Sequence, residues 1–187
     1  MISKSLKIDD TWTLFLDRDG VINKRLPGDY VRSWEQFEFL PGVQEAFGIF
    51  SGVFGKIIVV SNQQGIDKGL MTDSDIKKIH DKMTGEIQKN KGRIDKTYYS
   101  PFLESKNSIL RKPNVGMGLK ARKDFPELRF KKSVMTGDSI SDMIFGKRLK
   151  MTTVFICGDK KLIRQGYRVI DLVYPDLLTF ANDLSVR

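Results

Sequence analysis

Two carboxylates one residue apart, Asp17 and Asp19, follow the apolar run Leu14-Phe15-Leu16 and precede Gly20. At the end of a buried strand such a pair repels itself unless a cation or a proton sits between them. Three more polar groups stand in comparable places. Ser61-Asn62 follows Ile57–Val60, Lys112 precedes a helical stretch, and Asp138 with Asp142 follows Lys132–Thr136. Carboxylate oxygens suit a hard ion such as Mg²⁺. That ion and a lysine would neutralise the oxygens of a phosphoryl group. One carboxylate would remain to attack phosphorus and another to move a proton.

These groups can meet only if the elements before them share one edge. Trp12, Leu14 and Leu16 alternate with Thr13, Phe15 and Asp17, which predicts a buried strand over Thr11–Asp17. Further strands are expected at Ile57–Val60, Asp95–Ser100, Lys132–Thr136 and Thr152–Ile156, with a short sixth at Asp171–Tyr174. Helical spacing marks Val43–Ser51, Val115–Phe125, Ser141–Leu149 (Ile140, Met143 and Ile144 inward) and Asp176–Leu184. Another helix opens at the capping signal Thr72-Asp73-Ser74-Asp75 and carries Ile76, Ile79, Met83 and Ile87 inward. His80 shares that face and reads as a packed residue, not a catalyst. The alternation of strands and helices predicts an α/β fold: a central parallel sheet in a three-layer α/β/α arrangement, with ligands at the strand C-termini.

Length and composition bound the rest. The 187 residues suit one domain, 1–187, with its core at about 11–156. The longest apolar run is too short to cross a membrane, and Met1–Asp10 lacks the apolar stretch of a signal peptide. A single cysteine, Cys157, rules out an internal disulfide and suits a cytoplasmic protein; it reads as a small buried hydrophobe. The net charge of +9 favours an anionic partner, either a phosphorylated metabolite or, with less support, nucleic acid.

The set Asp17-x-Asp19-Gly20-Val21, Ser61, Lys112 and Gly137-Asp138-Ser139-x-x-Asp142 resembles, in order, the four motifs of the haloacid dehalogenase superfamily of phosphatases. Phe15–Asn23, Tyr30-Val31, Phe39–Val43, Ser61–Ile66 and Arg111-Lys112-Pro113 resemble more narrowly its heptose bisphosphate and histidinol phosphatase branch. The resemblance implies a Rossmann-like core and a Mg²⁺-dependent phosphomonoesterase acting on a small phosphorylated substrate such as a sugar bisphosphate. It implies Asp17 as nucleophile and Asp19 as acid and base. Mg²⁺ would be held by Asp17, the Asp19 carbonyl and Asp138. Ser61 and Lys112 would bind the phosphoryl group. Arg111, Arg25, Asn62 and Gln63 would meet the substrate, with Ser139 and Asp142 supporting from behind, the latter orienting Lys112.

Two departures bear on specificity. That branch usually carries a zinc loop before the motif lysine. Here residues 100–110 contain neither Cys nor His, so no zinc is expected, and Phe102, Leu103, Ile109 and Leu110 are expected to hold the loop by apolar packing. Ser139 stands where those relatives often have Lys or Arg. No insertion is large enough for a cap domain, so loops at about 23–42 and 100–113 should cover the site. Two other functions fit the same residues: a nucleic-acid 3′-phosphatase, and a non-catalytic phosphate- or partner-binding module.

Overall fold

The computed structural model describes residues 7–156, 164 and 168–185. Six parallel strands form one sheet: β1 (Thr13–Leu16), β2 (Lys56–Asn62), β3 (Lys96–Ser100), β4 (Ser133–Gly137), β5 (Thr152–Ile156) and β6 (Leu172–Tyr174), in the order β3-β2-β1-β4-β5-β6. The α-helices whose bounds lie among the described residues are α1 (Val43–Val53), α2 (Asp73–Lys89), α3 (Gly116–Asp124), α4 (Ile140–Arg148) and α5 (Leu177–Ser185). The observed bounds differ from the expected ones by a residue or two at most ends, where capping and pairing, not hydrophobic period, set the limit. The expected burial of Cys157 falls outside the described residues.

The period of two along the strands builds both faces. Leu14, Leu16, Ile57, Val59, Val134 and Val154 point to one side, where α1, α2 and α5 cover them with Phe47, Phe50, Ile76, Ile79, Met83 and Phe180. Phe15, Ile58, Val60 and Met135 point to the other, against Met117 and Ala121 of α3 and Phe145 of α4. The molecule is therefore a three-layer α/β/α fold. α4 departs from expectation. Its buried residues are Asp142, Met143, Phe145 and Gly146, and Ile140 and Ile144 are only partly covered. A capping box between Ser139 and Asp142 fixes the first turn with Asp142 inward, which shifts the apolar face.

Register delivers the polar residues to one level. Leu16 pairs with Val59 on one side and Thr136 on the other, so Asp17 stands beside Val60 and Gly137. The strand order reverses at β1, and the crevice at that switch point is where an α/β sheet places its ligands.

Candidate active site

Asp17 leaves β1 nearly buried, at 7% exposure, with its N–H donating to the Thr136 carbonyl at 2.9 Å. The turn that follows depends on Gly20. Its φ is +88°, and a Cβ there would lie 1.9 Å from Asp138 Oδ2. Only glycine allows the Asp17–Gly20 turn to approach the β4 end this closely. Gly137 is constrained in the same way, since a Cβ would meet the Asp142 side chain at 2.3 Å.

Lys112 is buried at the centre of the acids. Its Nζ lies 2.9 Å from Asp17 Oδ1 and 2.6 Å from Asp142 Oδ1, and donates to the Val60 carbonyl at 2.7 Å. Burial opposes the charge on Lys112, but Asp142 and Asp17 outweigh it and hold the ammonium ionised. Asn62 fixes the lysine's backbone: its Nδ2 donates to the Lys112 carbonyl and its Oδ1 accepts from the Lys112 N–H, both at 3.0 Å.

Asp17, Asp138 and Asp142 each place an oxygen within 4.8 Å of the others. Burial raises Asp17 to about 6, and Asp142 and Asp19 add to it, against the pull of Lys112. Burial and the Asp17 charge raise Asp138 to about 7. The crowding costs free energy that a cation would relieve, and an all-oxygen donor set fits a hard divalent ion.

Asp19 has a different setting. It accepts from Arg18 Nη2 (2.9 Å), Asn23 Nδ2 (3.0 Å) and Gln63 Nε2 (2.8 Å). Burial raises its pKa, but the Arg18 charge and these hydrogen bonds win, and the carboxyl lies below the usual range. Gln63 also donates to Ser61 Oγ at 2.7 Å, which leaves the Ser61 proton free to point elsewhere. Gln63 is thus buried behind the site and does not line its entrance, where the sequence reading put it. His80 is buried, with burial pushing it down to about 3, and packs edge-on to Tyr99 as a neutral ring.

A cavity of about 460 Å³ opens over these groups, lined by Asp17, Asp19, Arg25, Ser61, Asn62, Arg111, Lys112 and Ser139. Among the lining residues not expected as site residues are Tyr30, Gln64 and Lys68. Gln64 donates to the Tyr30 hydroxyl at 2.8 Å, and Lys68 Nζ stands 5.2 Å from the Tyr30 ring centre. The Lys68 N–H donates to the Gln64 carbonyl at 3.1 Å, so one turn carries both.

The loop at 100–113 is held only partly as expected. Ile109 is 62% exposed. Phe102, Leu103 and Leu110 are half-buried, and polar ties add to them: Asp67 accepts from the Leu103 N–H at 3.0 Å and from Lys106 Nζ at 2.8 Å, and Arg111 Nη1 donates to the Phe102 carbonyl at 3.2 Å.

Comparison with known proteins places this geometry. The family profile described as polynucleotide kinase 3 phosphatase matches residues 17–165. A D-glycero-alpha-D-manno-heptose-1,7-bisphosphate 7-phosphatase of Mycobacterium bovis is 40% identical over 71% of this chain and 70% of its own length. One from Campylobacter jejuni is 39% identical over 81% and 85%. The D,D-heptose 1,7-bisphosphate phosphatase from B. bronchiseptica, solved with magnesium and phosphate, shares the fold with a TM-score of 0.85 at 24% identity, over 94% of this chain and 98% of that one. No described helix is long and apolar enough to cross a membrane. The chain belongs to the polynucleotide kinase 3 phosphatase family and is a haloacid dehalogenase-type phosphatase of the heptose bisphosphate branch.

Proposed function

We propose that this phosphatase removes the 7-phosphate of a D-glycero-D-manno-heptose 1,7-bisphosphate through a phosphorylated Asp17, with Mg²⁺ as cofactor. The observation that carries it is the meeting of Asp17, Asp138 and Asp142 around Lys112 beneath a cation-lined cavity. Relatives bearing that activity cover most of the chain.

Asp17, Asp138 and the Asp19 carbonyl would hold the ion, which when bound supplies positive charge to the phosphoryl oxygens and keeps Asp17 ionised. Asp17 then attacks phosphorus, and the sugar oxygen leaves. Lys112 and Ser61, the latter turned by Gln63, donate to the transferring group. Asp19 would protonate the leaving oxygen and then activate the water that frees phosphate. In that role Asp19 must take up a proton and release part of its grip on Arg18 and Gln63, so these two residues set when the acid is available. Arg111, Arg25 and Lys68 would receive the anionic remainder of the substrate, and Asn62 would keep Lys112 in register.

A second substrate class, a 3′-phosphorylated nucleic acid, is favoured by the +9 charge and by the family description. Phosphate release from a panel tests both. The panel holds both anomers of the heptose bisphosphate, histidinol phosphate, other sugar phosphates and a 3′-phosphorylated oligonucleotide, with Mg²⁺ or with a chelator. Fastest turnover on a heptose bisphosphate with Mg²⁺ supports the proposal. Preference for the oligonucleotide replaces the substrate, and no release from any compound contradicts the reading.

A further inference from the structure

Arg25 joins the loop at 23–42 to the acid cluster. Its Nη2 donates to Asp138 Oδ1 at 2.7 Å and to the Asp19 carbonyl at 3.0 Å. In the phosphatase reading above, on which this inference rests, those same two groups hold Mg²⁺. A guanidinium nitrogen and a divalent ion cannot share one carboxylate and one carbonyl at such distances, because like charges would meet within a few ångströms.

The geometry gives Arg25 somewhere else to go. The chain beside it is pinned: the Lys24 N–H donates to the Glu38 carbonyl at 2.8 Å, and Asn23 pairs with Phe39. The Arg25 side chain is half exposed and lines the same cavity as Lys68 and Arg111. Rotation about side-chain bonds therefore moves its charge from the acid cluster to the cavity wall while the loop stays anchored. Charge balance favours the exchange. Lys112 and a divalent ion together neutralise the three carboxylates, which releases the guanidinium for an incoming phosphate.

We infer that Arg25 is a counter-ion exchanged for the metal, and that once displaced it binds the phosphoryl or phosphate oxygens of the ligand. Metal and anion are thus coupled through one side chain, and the coupling is reciprocal.

Calorimetric titration of Mg²⁺ without substrate tests the first half. Arg25→Ala should bind Mg²⁺ about 5- to 10-fold more tightly than the wild type, the scale of a typical coupling between sites. Lys68→Ala removes a cation from the same cavity wall without freeing either oxygen, and should change Mg²⁺ affinity by less than about twofold. Inorganic phosphate then probes the second half. Arg25→Ala should weaken phosphate binding about fivefold or more with Mg²⁺ present, and leave it unchanged without Mg²⁺. Equal or weaker Mg²⁺ binding by Arg25→Ala overturns the inference and leaves the phosphatase reading standing. So does an equal gain in Lys68→Ala, or a phosphate defect of the same size with and without Mg²⁺. A wild-type protein that takes up no Mg²⁺ sinks both.

Discussion

The floor of the cavity and its walls are built by different means. On the floor, Asp17, Lys112 and Asp142 are 7%, 2% and 0% exposed, and strand register with helix capping fixes them. On the walls, Arg25 and Lys68 are exposed, and the loops that carry them are tied by a few polar contacts such as Arg32 to Asp29 and Lys106 to Asp67. A buried floor keeps low-dielectric electrostatics strong and its geometry fixed, which phosphoryl transfer needs. A solvated wall can change its cations without disturbing that chemistry. The segment 100–110, which carries neither Cys nor His, belongs to the wall, so its composition leaves the floor intact.

Substitutions should separate the two regions by size of effect. Asp17→Asn removes the proposed attacking group and should lower kcat by about 10⁴ or more while the protein stays folded; circular dichroism and a phosphate-release assay check both halves. Lys112→Ala comes next, with kcat down by about 10²–10³, the cost of one lost transition-state donor. It should also lower Tm, since Asp17 and Asp142 lose their buried partner.

A third contrast uses pH. The Asp138 pKa rises in the folded state from 3.8 to about 7, so the folded state binds more protons than the unfolded one across that window. Asp138, with Asp17, should therefore contribute stability in chelator that is lost as pH climbs from about 4 to about 7. His80, neutral when folded and protonated when unfolded below 6.5, works the other way, so the fall should be steeper in His80→Gln. Added Mg²⁺ should raise Tm more at pH 8 than at pH 5, where protons compete for Asp17 and Asp138; equal shifts would count against a shared ion site. The smallest effect belongs to the wall. Asp67→Ala unties Leu103 and Lys106, and should raise KM about fivefold with kcat nearly kept, the scale of a lost charged hydrogen bond. A collapse of kcat would show that this loop belongs to the floor.

The floor was legible in the sequence and the wall only in part: Arg25, Asn62 and Arg111 line the cavity as expected, while Tyr30, Gln64 and Lys68 were not read as site residues. Asp17 and Asp138 follow apolar runs and Asp142 sits in a capping box, so local patterns mark them, and parallel pairing brings the strand ends together. Lys112 lies in an irregular segment before α3, and only its resemblance to the motif lysine marks it. The contact of Arg25 with Asp138 spans 113 positions and leaves no local trace. Gln63 next to Ser61 reads as an entrance residue, yet the turn after β2 sends it inward to Asp19. Ile109 looks like a core residue by type, but Asp67 holds the loop and leaves that isoleucine in solvent.

The central claim is covalent transfer to Asp17. Acid quenching during turnover of heptose bisphosphate carrying radiolabelled 7-phosphate tests it most directly, with peptide mapping of the trapped label. The expected result is one acid-stable, hydroxylamine-labile phosphoryl group on the peptide containing Asp17, dependent on Mg²⁺ and missing from Asp17→Asn. Rapid turnover with no label on the protein at any quench time, or label on a different residue, would contradict it.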